Sequence, residues 1–236
     1  MAYEKTYNSD LASKLAKSKD AAKTLDQELE VLKQRALSLD SARAQMAQGY
    51  KMVLEGLAQA FPTLDLNDPN LTDSPNRMAR ALIEMSSGLG IKDSDVFSTT
   101  FPAEEYNEVI ILKDISFVSM CSHHFFPFTG VAHVGYLPDV TLGTESKVVG
   151  LSKLARIVDA HAQRPQLQER LNLDIMKAIK SELKPLGVMV VLEAQHGCLN
   201  CRGAKKNGAT MITSSLDGQF QTDLALRKEF LALIRK

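Results

Sequence analysis

Two short clusters in this 236-residue chain gather side chains suited to binding a transition metal. Cys121 and His124 form a C-x-x-H pair, with Ser122 and His123 between them; His196, Gly197 and Cys198 follow much later in the chain. Thiolate and imidazole are good zinc ligands, and Cys121, His124 and Cys198 together would leave the fourth tetrahedral position open to water, as catalytic zinc sites do. His123 and His196 would then stand beside the metal, where imidazoles can pass protons near neutral pH. Cys198 and Cys201 also form a C-x-x-C pair. A closed structural site of Cys121, His124, Cys198 and Cys201, holding the fold and doing no chemistry, fits the same spacing, and spacing alone leaves both readings open.

Composition narrows the setting. Three cysteines, an odd count in a chain of this length, make a poor disulfide framework, so the thiols point to metal binding or catalysis in a reducing compartment. The 28 basic and 28 acidic side chains cancel, which excludes a general nucleic-acid or membrane-surface binder but leaves room for a local basic pocket holding a small anion. No signal peptide and no apolar run approaching the ~20 residues of a membrane span are present, so the chain reads as soluble and cytoplasmic. Gly-rich phosphate motifs are absent.

Helices and strands must bring the two clusters together. Leu11, Leu15, Ser18, Ala22, Leu25, Leu29, Leu32, Ala36 and Leu39 follow alternating steps of four and three, a heptad seam that meets a charge at Arg43 and resumes through Met46, Tyr50, Val53 and Leu57. Asp40 and Ser41 offer a cap for a second helix there, so two helices are expected; the seam reads either as a coiled-coil contact with another subunit or as a face packed on its own domain, the latter expected for the later part. A polar loop over 63–70 precedes a helix from Asp73-Ser74-Pro75 that stops near Gly88. Strands are expected over 109–118, 129–137, 188–192 and 210–214, a loop over 140–146, helices over 151–162 and from Pro165 onward, and a short closing helix. The order lacks a regular βαβ rhythm and predicts an α+β fold with mostly antiparallel strands. Residues 1–62 read as an N-terminal helical region and 63–236 as the catalytic domain.

Five segments resemble the GTP cyclohydrolase I family, in family order: DSPNRMAR (73–80), SFVSMCSHHFFP (116–127), GLSKLARIVDAHAQRPQLQERL (150–171), HGCLNCRG (196–203) and TSSLDGQF (213–220). The resemblance implies a tunnelling fold, with an antiparallel sheet and paired helices joined between subunits into a barrel, and a homo-oligomer, a decamer, with sites at subunit interfaces. It implies opening of the GTP imidazole ring, release of formate and closure to 7,8-dihydroneopterin triphosphate. It assigns Cys121, His124 and Cys198 to zinc, leaves Cys201 out, and gives proton transfer to His123 and His196.

Substrate contacts also follow from the resemblance. Glu169 is matched to the guanine N1 and N2 hydrogens, which a carboxylate can accept side by side, with Gln168 in the same pocket. Lys153, Arg156 and Arg202 are matched to the triphosphate, Arg77 to a contribution from a neighbouring subunit, and Ser152, at a helix start, to a phosphate or ribose contact. Ser122 stands where the family often has an acidic residue, and the loop 139–147 is longer than usual. His133 is expected to pack or hydrogen-bond, and His161 to be exposed. A non-catalytic or regulatory zinc-binding paralogue, or a related tunnelling-fold enzyme of pterin or deazaguanine synthesis, are the rival readings.

Overall fold

The computed structural model describes residues 2–235, with side chains from Leu25 onward apart from residue 28. The chain divides into two compact units between Ile83 and Glu84.

The first unit is helical. Helix α1 spans Ala2–Ala60 without a break, about 90 Å at 1.5 Å per residue. The second helix expected after Asp40 is therefore not a separate element. Arg43 interrupts the apolar pattern but not the backbone, because its position is exposed and its guanidinium pairs with Asp40 at 2.9 Å. Of the expected seam, the side chains of Leu11, Leu15, Ser18 and Ala22 lie outside the described residues. Leu25, Leu29, Leu32 and Leu39 are between 46 and 65% exposed. Further on, half-buried positions recur every four residues at Ala42, Met46, Tyr50, Leu54 and Ala58, a face shifted from the expected Val53 and Leu57. Short helix α2 (Pro69–Thr72), capped by the Asp68 carboxylate, falls where a loop was expected and leads to α3 (Ser74–Glu84).

The second unit is built on a five-stranded sheet with helices on both faces. After α4 (Asp93–Val96), strand β1 (Phe101–Pro102) pairs with β4 (Lys147–Val148) in a small ribbon of its own. The main sheet has the order β5-β2-β3-β6-β7, from β2 (Ile110–Cys121), β3 (Pro127–Leu137), β5 (Pro165–Gln166), β6 (Gly187–His196) and β7 (Met211–Gly218). All its pairings are antiparallel except β2 with β5. The expected loop over 140–146 is a 3-10 turn, Val140–Glu145, with Gly143 at φ 56°.

Helices α5 (Leu151–Ala162) and α6 (Gln168–Leu183) cover one sheet face. Leu154, Ile157, Val158, Leu171, Ile175 and Ile179 are fully buried against Phe117, Phe128, Ala132, Val134, Val190 and Leu192. Each such burial is worth about 1.5–3 kcal/mol relative to exposure. The helix expected from Pro165 starts at Gln168, because Pro165 and Gln166 extend the sheet beside Met120 and Cys121. On the opposite face, α9 (Leu224–Ile234), reached through α8 (Gln219–Thr222), packs Phe230 over Met189 and Val191. A Cβ on Gly135 would lie 2.6 Å from the Phe230 ring, so only glycine admits this approach.

Two histidines belong to the scaffold. His133 is buried, and its Nδ1 accepts from the Asp114 amide at a bulge in β2 where Asp114 has φ 58°. His161, expected to be exposed, is 5% exposed; it lies on the inner face of α5 with Nε2 3.0 Å from Asp93 Oδ1. No described helix is long and apolar enough to cross a membrane.

Candidate functional site

The antiparallel order β2-β3-β6 brings the two cysteine-histidine clusters together. Strand β2 ends at Cys121; the chain turns through His124 and Phe125 and returns as β3. The turn is held by the Phe125 amide on Cys121 O and the Cys121 amide on Phe126 O, both at 2.8 Å, with Phe125 at φ 57°. Strand β3 then pairs with β6 so that Phe128 lies opposite His196, and the next residues form α7 (Gly197–Asn200), which carries Cys198. Gly197 passes so close to β3 that a Cβ there would sit 2.8 Å from Pro127 O.

Cys121, His124 and Cys198 offer ligand atoms that all lie within 4.8 Å of one another, the one such cluster of histidine, cysteine and carboxylate groups among the described residues. Two thiols and an imidazole are a donor set for zinc and its neighbours, and three of them fit an ion that keeps a position open. Burial pushes the Cys198 thiol up, and its hydrogen bond with Cys121 adds to this, while the Arg202 charge opposes it. A thiol that resists ionisation, beside a second thiol and an imidazole, suits a site that a cation completes. Cys201 is exposed and directs its Sγ to Gly197 O at 2.7 Å, outside the cluster.

His123 is exposed at the same turn, its ring centroid 6.1 Å from that of His124. His196 stacks on Phe128 with centroids 4.5 Å apart and rings 3° from parallel. Burial lowers its pKa, against the pull of the nearby Glu169 carboxylate. Its Nε2 meets Gln168 Oε1 at 2.8 Å. Gln168 itself is buried at the start of α6, its amide nitrogen bonded to Leu192 O, Met211 O and Thr213 Oγ1. Glu169, the next residue, is exposed.

Helix α5 starts after Gly150 with no side-chain cap, and the Lys153 amide bonds Gly150 O at 2.9 Å; Ser152 is exposed there, Lys153 half-buried and Arg156 exposed one turn on. Tyr136 Oη, buried in β3, accepts from the Val149 amide and anchors this start. Neither Lys153 nor Arg156 makes an ion pair among the described residues. Arg202 reaches back to His124, with its guanidinium 2.8 Å from Nε2. Arg77 belongs to the first unit, where its guanidinium bonds Asn70 O and Ser74 Oγ.

One contributor escaped the sequence reading, and a second, Arg170, is expected from sequence only as a salt-bridge former or a pocket residue. Phe128 supplies the stacking surface for His196; in sequence it is one more apolar strand residue. Arg170 bonds Gln166 Oε1 at 2.7 Å and Ser122 Oγ at 3.2 Å, bracing the turn beside Cys121. Its i,i+4 spacing from Gln166 was a signal for the first contact, and nothing pointed to the second. Cavities of about 400 and 450 Å³ lie elsewhere in the unit, lined by Ser116, Asp159 and Gln163 and by Asp114, His133 and Glu193 among others. His124 of the cluster is exposed, and the next two residues in the chain, Phe125 and Phe126, are 54 and 36% exposed.

Comparison with known proteins matches the family model described as GTP cyclohydrolase I to residues 40–235. GTP cyclohydrolase 1 of Geobacillus kaustophilus (strain HTA426) is 44% identical over 192 residues, 81% of this chain and 96% of the relative. GTP cyclohydrolase 1 of Listeria welshimeri is 44% identical over 193 residues, with 82% and 96% covered. That of Mycobacterium leprae (strain Br4923) is 49% identical over 170 residues, with 72% and 80% covered. With a strand order that assembles the cluster and relatives that span most of its length, this chain belongs to the GTP cyclohydrolase I family.

Proposed function

We propose that this chain is a zinc-dependent GTP cyclohydrolase, which adds water across the imidazole ring of GTP, releases C8 as formate and closes the remaining atoms to 7,8-dihydroneopterin triphosphate. The observation that carries the reading is the convergence of Cys121, His124 and Cys198 within 4.8 Å, with His123 on the same turn, in a chain of this family. Zinc held by these three groups supplies Lewis acidity, which makes water a nucleophile at neutral pH.

The chain's own residues do the rest. His123 gives a proton to N7 of the purine, which draws electron density from C8 and opens it to attack. His196, held flat against Phe128, serves the second proton transfer as the ring opens. Glu169 accepts from guanine N1–H and N2–H, and Gln168 builds the pocket wall behind it. Ser152, Lys153, Arg156 and Arg202 hold the triphosphate, helped by the start of α5, which no side chain caps. Arg77 reaches the site of a neighbouring copy.

The active form is a tunnelling-fold homo-oligomer, a decamer, in the cytoplasm. The exposed His124, followed in the chain by the exposed Phe125 and Phe126, supports a site completed by a second copy. A thiol-ligated metal suits a reducing compartment. The test is incubation of the zinc-loaded protein with GTP, followed by formate assay and by oxidation and fluorescence detection of neopterin. Appearance of both in equal amounts is expected; zinc-loaded protein that releases neither sinks the reading.

A further inference from the structure

The contact between Arg202 and His124 joins two groups that the proposed reading gives to different tasks, one to phosphate and one to metal. Arg202 stays protonated and has donors only, so at 2.8 Å it donates and His124 Nε2 supplies the lone pair. A neutral imidazole has one lone pair to offer. While Arg202 is bound, Nε2 is committed and Nδ1 bears the proton.

A metal ion can enter in two ways, and both break this bond. If it takes Nε2, it replaces the guanidinium directly. If it takes Nδ1, that nitrogen gives up its proton, and the neutral ring then bears its proton on Nε2, which faces Arg202 as donor to donor. Metal at His124 and the Arg202–His124 bond therefore exclude each other whichever nitrogen ligates. The backbone allows the exchange without moving Cys198: the Cys201 amide bonds Gly197 O, the Lys206 amide bonds Leu199 O, and Gly203 takes φ 60°, so the loop is anchored on α7 while the side chain stays exposed.

We propose that Arg202 is a metal-released phosphate arm: it occupies His124 in the metal-free chain, and metal entry frees its guanidinium for the triphosphate. This rests on the assignment of Cys121, His124 and Cys198 as the metal site. Metal and triphosphate then favour each other's binding, because each removes the partner that blocks the other, and such coupling is reciprocal. Metal-free chains bind GTP weakly instead of holding it where it cannot react.

The test measures zinc affinity of the full-length metal-free protein by competition with a chromogenic chelator, without phosphate, at low and high salt. Arg202→Met removes the competitor and is expected to bind zinc about three- to tenfold tighter than the parent, the worth of one hydrogen bond at an exposed site. The gain persists at high salt. An unchanged or weaker affinity in Arg202→Met overturns the inference. So does a gain that disappears at high salt, which would mark through-space repulsion alone. In the unaltered protein, phenylglyoxal should modify Arg202 faster when zinc is bound than when it is absent, read by peptide mass; an equal or slower rate overturns the inference without any variant. If the parent takes up no zinc, or still takes it up when both Cys121 and Cys198 are alanine, the metal-site reading fails first and the inference with it.

Discussion

At the scale of single residues, the site separates into groups that hold and groups that read. Cys121→Ala and Cys198→Ala each leave two ligands of three, so metal and turnover should be lost together, measured by zinc content and formate release. Cys201→Ala should keep both, because its Sγ bonds only its own turn. Zinc loss in Cys201→Ala would bring back the closed four-ligand site. Glu169→Gln keeps the shape but sets a donor against guanine's donors, at a cost of roughly 1–3 kcal/mol per unsatisfied group. Its preference for GTP over ATP in equilibrium binding should therefore collapse, and an unchanged preference would place guanine recognition elsewhere. The residue types and spacing of Cys121, His124 and Cys198 were legible because ligand chemistry is local. Phe128 was not, and Arg170 was legible only as a salt-bridge former or pocket residue, because a stacking ring and a bracing guanidinium acquire their roles only from strand register and a turn's path.

At the scale of elements, most helices and strands followed from periodicity, and the departures have local causes. Pro165 and Gln166 pair with β2 instead of opening α6, a contact between distant segments that no window of sequence contains. The inward turn of His161 has the same origin: its partner Asp93 lies on α4, far away in sequence. Burial lowers the His161 pKa below 6.5, opposed chiefly by Asp93. Because the folded protein binds this proton less readily than the unfolded chain, the histidine's contribution is present above the unfolded pKa and is lost as pH falls below 6.5. Thermal unfolding between about pH 7.5 and 5 should show a falling midpoint that is shallower in His161→Gln than in the parent, with any loss of metal common to both. Equal slopes would mean that His161 does not set this dependence.

At the scale of the molecule, α1 leaves leucines at heptad spacing open to solvent. If this seam joins subunits, removal of residues 1–38 should reduce the assembly beyond the missing mass in light scattering, and activity should fall with it. An undiminished, fully active oligomer would show that the segment serves another purpose. The heptad pattern was legible, but the partner of a surface seam is not written in the chain that bears it. The sheet has a more definite effect at a distance. Antiparallel pairing of β6 with β7 sets Leu192 beside Thr213, and the acceptors Leu192 O, Met211 O and Thr213 Oγ1 all claim the Gln168 amide nitrogen. The amide can then point only its oxygen at His196, so His196 Nε2 must bear a hydrogen and the neutral ring holds its lone pair on Nδ1. The tautomer of the proposed proton-transfer residue is thus dictated by strand register: a one-residue slip between β6 and β7 would rearrange the acceptors that hold the amide and remove what fixes the basic nitrogen, with every site residue still present in the sequence.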